Sequence, residues 1–141
     1  MQIKTVGIIG TGAMGLGITQ VCAHAGRQVV AVKATPGGTE KAEATLDKSF
    51  GRLVERGKMD AAEKDAILGR VTFSSDEGAV AGCELVIESI IEDLETKKDL
   101  FRRLEGICTP EALLTSNTST LSVTAMMAVC KHRQRVAGLH F

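Results

Sequence analysis

This chain has no excess of charge of either sign. Its 17 Lys and Arg are balanced by 17 Asp and Glu, for a formal net charge of zero. No cationic surface is therefore expected that could neutralise nucleic-acid phosphates or dock on anionic lipid, and small neutral or mixed-charge ligands are the expected partners. No apolar run approaches the ~18 residues of a membrane span. The opening MQIKTVGIIG lacks the charged head, long apolar stretch and small-residue cleavage site of a secretory signal. No Cys-x-x-Cys pair occurs among Cys22, Cys83, Cys108 and Cys130, so neither a metal site nor a disulfide framework is signalled. The four read as small buried hydrophobes in a reducing compartment, and a cytoplasmic location is expected. No internal repeat or low-complexity linker divides the 141 residues.

What is present is an alternation of short β-branched runs and helical stretches. IKTVGIIG predicts a strand ending in glycine, and TGAMGLGITQVCAHAG carries apolar residues at helical spacing until Gly26 stops it. QVVAV, Gln28 to Val32, has almost no polar face, as suits a parallel strand covered by helices on both sides. A long amphipathic stretch runs from Thr39 to Gly57, and MDAAEKDAILG opens another helix with Asp60 as its N-cap. RVTFSS, CELVIES and ALLTS predict further strands, alternating with the charged helix DLETKKDLFRRLEGIC and a shorter one from Ser122. RVAGLHF predicts a last strand. The pattern implies one α/β domain over residues 1–141, a doubly wound, mainly parallel sheet with a helical hairpin between the second and third strands.

Gly10-Thr11-Gly12-Ala13-Met14-Gly15 satisfies G-x-G-x-x-G and stands between the first strand and the first helix, where that motif has a mechanism. Gly10 allows the tight turn, Gly12 lets the backbone approach a pyrophosphate, and Gly15 lets helix and strand close up, with the helix N-terminus facing the anion. A glycine turn without a ligand and a methyltransferase-type loop are the alternatives. A dinucleotide fold normally ends its second strand in Asp or Glu, which bonds the adenosine ribose. Lys33 stands there instead. An ammonium cannot accept from ribose hydroxyls but can pair with a 2′-phosphate. Two readings stay open: a solvated lysine beside weakly held NAD, or a shift toward NADP aided by Thr35, Thr39, Lys41 and the amides of Gly37 and Gly38.

At IIGTGAMGLGI, LVIESIIEDLETKK, LTSNTSTLSVT and RVAGLHF the chain resembles the NAD-binding domain of the L-3-hydroxyacyl-CoA dehydrogenases, including bacterial 3-hydroxybutyryl-CoA dehydrogenases. The resemblance runs along the whole chain, hairpin included. It implies a Rossmann-type fold, NAD as cofactor (with NADP admitted by Lys33), an acyl-CoA substrate, and oxidation of L-3-hydroxyacyl-CoA to 3-oxoacyl-CoA in fatty acid metabolism. It also implies a longer polypeptide, in which an Asn-Pro segment, a glutamate that pairs with the histidine and an all-helical dimerising domain follow Phe141. The 141 residues alone would then be inactive, and the complete enzyme a homodimer.

The resemblance assigns His140 as the general base for the 3-hydroxyl, a task suited to the side chain that titrates nearest neutrality. Ser119 matches a serine that bonds the reacting oxygen and contacts coenzyme A, and Asn117 lies in the same turn. Gly10, Thr11, Gly12, Ala13, Met14, Gly15, Lys33, Glu92 and Lys97 fall to the cofactor. Ser49 matches a coenzyme A contact, and Arg56 occupies or neighbours a lysine of that site. Each residue has a plainer reading. His140 is then structural, SNTST a helix-capping cluster, and Glu92 and Lys97 solvated charges at a helix start. The corresponding functional alternatives are a dinucleotide-binding module without chemistry and a related hydroxy-acid dehydrogenase. His24 and His132 read as surface residues, and Met14, Met126 and Met127 as packing residues.

Overall fold

The computed structural model describes residues 2–141. Among them six strands form one sheet: β1 Thr5–Ile9, β2 Gln28–Val32, β3 Val71–Ser74, β4 Leu85–Glu88, β5 Leu113–Ser116 and β6 Val136–Gly138. Their order is β3-β2-β1-β4-β5-β6, and every neighbouring pair is parallel. The expected doubly wound sheet is present, parallel throughout. The helices are α1 Ala13–His24, α2 Glu40–Glu55, α3 Ala61–Leu68, α4 Leu94–Ile107 and α5 Val123–Ala128. The α2–α3 hairpin lies between β2 and β3 as expected, and Asp60 caps α3 by accepting from the Glu63 N–H at 2.7 Å.

Strand alternation sends side chains into two cores. Val6, Ile8, Val29 and Ile87 meet Ile18 of α1 and the buried stripe Leu46 and Phe50 of α2 on one face. Ile9, Val32, Val86 and Leu114 meet Leu100, Phe101 and Leu104 of α4 and Met126 of α5 on the other. A parallel sheet covered on both faces needs strands that are apolar on both sides, which is why QVVAV and LVIE carry so little polar surface. Cys83, Cys108 and Cys130 are buried and Cys22 is half-buried. Burial pushes the Cys83 thiol up to about 11, with smaller upward contributions from Cys108 and Glu84. These cysteines are inert packing groups near neutral pH.

The last strand is shorter than RVAGLHF predicts, because its partner β5 runs out. Gly138 pairs with Ser116, the final residue of β5. Beyond it the Leu139 N–H still donates to the Ser116 carbonyl at 2.9 Å, and the Phe141 N–H turns to the Asn117 side chain. Among the described residues no helix is long and apolar enough to cross a membrane.

Candidate functional site

The chain leaves β1 to build β2 and β3 on one side and β4 to β6 on the other, so strand order reverses at β1. Crevices outside the carboxyl ends of parallel strands form at such a reversal. A cleft of about 1090 Å³ opens there, bordered by the glycine turn, the β2 end, the start of α2, the loop from β4 into α4, and Asn117, Ser119, His140 and Phe141.

The three glycines of the turn have three different surroundings. Gly10 has φ +115°, and a Cβ on it would lie 2.2 Å from the Ser89 carbonyl oxygen. A Cβ on Gly15 would lie 1.9 Å from the Gly10 carbonyl oxygen, so α1 rests directly on the turn. A Cβ on exposed Gly12 would meet no protein atom within 4 Å. Gly12 is the N-cap of α1 and offers no side-chain cap, and the first turn carries no acid. The free amides and positive end of α1 thus face open cleft across a bare backbone, a fit for a pyrophosphate. Met14, for which both a cofactor contact and a packing role were expected, is 50% exposed and lines the cleft beside the glycine turn.

At the β2 end the cleft is lined by Lys33, Thr35, Lys41 and Thr45. The Lys33 ammonium donates to the Thr35 carbonyl at 3.0 Å, the Thr35 hydroxyl at 2.9 Å and the Pro36 carbonyl at 2.5 Å. Its three donors are engaged by its own turn. Glu92, at the opposite end, is the one carboxylate lining the cleft among the described residues.

That opposite end is built on buried charge. Lys97, for which a solvated surface position was one reading, is 1% exposed. Its ammonium donates to Glu88, to Glu92 Oε1 at 2.8 Å and to the Ile90 carbonyl at 3.4 Å. The periodicity of α4 explains the burial, since Lys97 shares the inward stripe of Leu100, Phe101 and Leu104. Glu92 Oε2 accepts from the Thr118 hydroxyl at 2.7 Å. The hydrogen bond from Lys97 holds the Glu92 carboxyl below the usual carboxylate range; partial burial opposes this, and the Thr118 hydroxyl reinforces it.

His140, Ser119 and Asn117 all border the cleft. His140 and Ser119 are exposed to it, and the His140 imidazole makes no hydrogen bond or ion pair among the described residues. Asn117 is tied into the scaffold: its N–H donates to the Glu88 carbonyl at 2.8 Å, its Oδ1 accepts from Phe141 N–H at 2.9 Å, and its Nδ2 donates to Ser89 Oγ at 3.4 Å. In SNTST, Ser116 donates to Glu88 and accepts from Thr118 N–H, and Thr118 Oγ1 accepts from Leu121 N–H at 3.0 Å, so these side chains brace the turn after β5, while the cap of α5 itself is Ser122, accepting from Ala125 N–H at 3.1 Å.

Ser49 and Arg56 are not brought to the cleft. Ser49 donates to Gln20 Oε1 at 2.7 Å, against α1, and Arg56 is exposed at the carboxyl end of α2. Sequence reasoning overlooked Glu88, Ser116 and Thr118. The available signal was a lone acid closing the apolar run LVIE, at the strand end where ligands bind. No group of three or more His, Cys, Asp or Glu among the described residues could hold a metal ion.

A parallel sheet in this order, with a glycine turn open to anions at its reversal point, defines a dinucleotide-binding domain. Comparison with known proteins makes the assignment specific. The family described as 3-hydroxyacyl-CoA dehydrogenase, NAD binding domain, matches residues 5–141, and the chain belongs to that family. It is 40% identical over 141 residues to a 3-hydroxyadipyl-CoA dehydrogenase of Escherichia coli K12, covering 100% of this chain and 30% of that protein. It is 38% identical over 135 residues to a probable 3-hydroxybutyryl-CoA dehydrogenase of Deinococcus radiodurans, covering 96% of this chain and 48% of that one. Among solved structures, 3-hydroxybutyryl-CoA dehydrogenase of Escherichia coli K12 superposes with a TM-score of 0.95 at 40% identity, over 100% of this chain and 30% of the other. The chain thus spans less than half the length of these relatives.

Proposed function

We propose that this domain carries the cofactor and the base of an L-3-hydroxyacyl-CoA dehydrogenase, forming 3-oxoacyl-CoA reversibly. The observation that carries this reading is that His140, Ser119 and Asn117 open into the same cleft as the glycine turn. The turn at Gly10, Gly12 and Gly15 and the amino end of α1 would hold the pyrophosphate, and Glu92 would accept from hydroxyls of the nicotinamide ribose. NAD, when bound, supplies the acceptor for the hydride that leaves substrate C3. His140 removes the proton from the 3-hydroxyl, and the Ser119 hydroxyl donates to the same oxygen as charge develops on it. Asn117 fixes the backbone next to His140.

In this reading a helical domain outside the 141 residues orients the imidazole, excludes water and forms a homodimer, and the protein works in fatty acid metabolism in the cytoplasm. Coenzyme A would extend from the cleft along α2 toward Ser49 and, seven residues on at the helix's carboxyl end, Arg56. The decisive test is His140→Gln in the full-length protein with 3-hydroxybutyryl-CoA. Turnover falls by ~10²-fold or more, while NADH affinity changes less than about twofold. Equal losses in both would make His140 a structural residue.

A second reading concerns the cofactor and rests on Lys33. With no acid at the β2 end, nothing there repels a 2′-phosphate, so discrimination against NADP is weak. The engaged ammonium of Lys33 keeps it from becoming strong in the other direction.

A further inference from the structure

Glu88 is wholly buried at the last position of β4, and strand alternation puts it on the same face as Val86, which belongs to the core that α4 covers. A carboxylate in such apolar surroundings is expensive to bury, and a packed aliphatic residue would serve stability as well or better. Its bonds point to a different task. Oε1 accepts from Lys97 and from Ile90 N–H at 2.8 Å, and Oε2 accepts from the Ser116 hydroxyl at 2.5 Å. One carboxylate thereby joins α4, the loop after β4 and the end of β5.

From each partner the chain of bonds continues to the cleft. Lys97 passes to Glu92, and its three donors are then all used within the protein. Ser116 Oγ accepts from Thr118 N–H at 3.2 Å, and the Thr118 hydroxyl closes the circuit onto Glu92. We infer that Glu88 is the positioning residue of the nicotinamide end: it orients Glu92 through Lys97, and through Ser116 it shapes the turn that presents Asn117 and Ser119. Lys97 therefore serves the cofactor by way of Glu92. This inference rests on the dehydrogenase reading above.

The test uses the full-length protein with Glu88→Gln, Lys97→Met and the double variant, measuring melting temperature, NADH dissociation constant and the KM and kcat for 3-hydroxybutyryl-CoA oxidation. Glu88→Gln keeps the shape and removes the charge. It is expected to weaken NADH binding by ~10-fold or more, comparable to the loss of one charge-assisted contact. Lys97→Met leaves the carboxylate without its cation, and the double variant is expected to regain melting temperature, because the buried charges are gone together. Its NADH affinity stays as low as that of Lys97→Met, with no further drop, because both act along one path. A merely structural Glu88 would show cofactor affinity returning with stability in the double variant, and that result overturns the inference. So does a Glu88→Gln protein that binds NADH within twofold of wild type; if that variant does not fold, the double variant decides. Wild-type protein that binds no NADH removes the dehydrogenase reading itself.

Discussion

The two ends of the cleft each hold a lysine, and the two are used in opposite ways. Lys33 stands on the rim and spends its ammonium on its own turn, on Thr35 and Pro36. Lys97 stands beneath the floor, between two carboxylates, in a network that joins two strands and a helix. A charge on the rim is screened by water and contributes little to stability, whereas a charge under the floor cannot lose its partner without a large penalty. The rim is thus free to vary with the ligand, and the floor is bound to the fold.

Removing each lysine tests this contrast most severely. Lys97→Ala strands Glu88 in an apolar core and is expected to cost about 3–5 kcal/mol of unfolding free energy, while Lys33→Ala costs about 1 kcal/mol or less, both read by urea denaturation. Equal losses would break the comparison. The glycine turn divides similarly. Gly15→Ala places a methyl against the Gly10 carbonyl and is expected to cost about 1–3 kcal/mol through forced displacement of α1. Gly12→Ala leaves the melting temperature within a few degrees but lowers NADH affinity by ~10-fold or more, because the methyl projects where the backbone meets the pyrophosphate.

A smaller effect is expected at the rim. Lys33→Asp raises the ratio of kcat/KM for NAD over NADP by ~10-fold or more, through two new acceptors for the ribose and a new repulsion for the phosphate. If wild type already discriminates as strongly as the variant, Lys33 takes no part in cofactor choice. The smallest effect concerns pH. The Glu92 carboxyl lies below its ordinary value in the folded protein, so its pairing with Lys97 contributes stability above the unfolded value of about 4.3 and loses it as pH falls through the folded one. Being half-exposed, that contribution is on the order of a few tenths of a kcal/mol. The difference in urea midpoint between wild type and Glu92→Gln is expected to be constant above about pH 5 and to shrink in acid.

The rim and the glycine turn were legible in the sequence because they are local. A G-x-G-x-x-G between a strand and a helix, and a lysine where an acid belongs, need only neighbouring residues to be read. So too with the hairpin, the Asp60 cap and the sheet, since each depends on short-range periodicity. The floor was not legible. Glu88, Lys97 and Ser116 are separated by 9 and 28 positions, and each alone reads as a strand-end acid, a helix lysine or a capping serine. Only the register of β4 against β5, with Glu88 opposite Ser116, makes them one group. Met14 carries two readings, packing and cofactor contact, and helical spacing alone does not choose between them; its half-exposed place on the cleft wall disfavours packing.

The Asn117 side chain that receives the Phe141 N–H completes a two-point tether, because the Leu139 N–H is already held by the Ser116 carbonyl. The backbone on both sides of His140 is therefore held by hydrogen bonds within the fold itself. Fixing one residue's backbone costs about 1–2 kcal/mol of conformational entropy at room temperature. For His140 much of that ordering comes with the fold, so in the reaction proposed above mainly the two side-chain torsions of the imidazole would remain to be restricted.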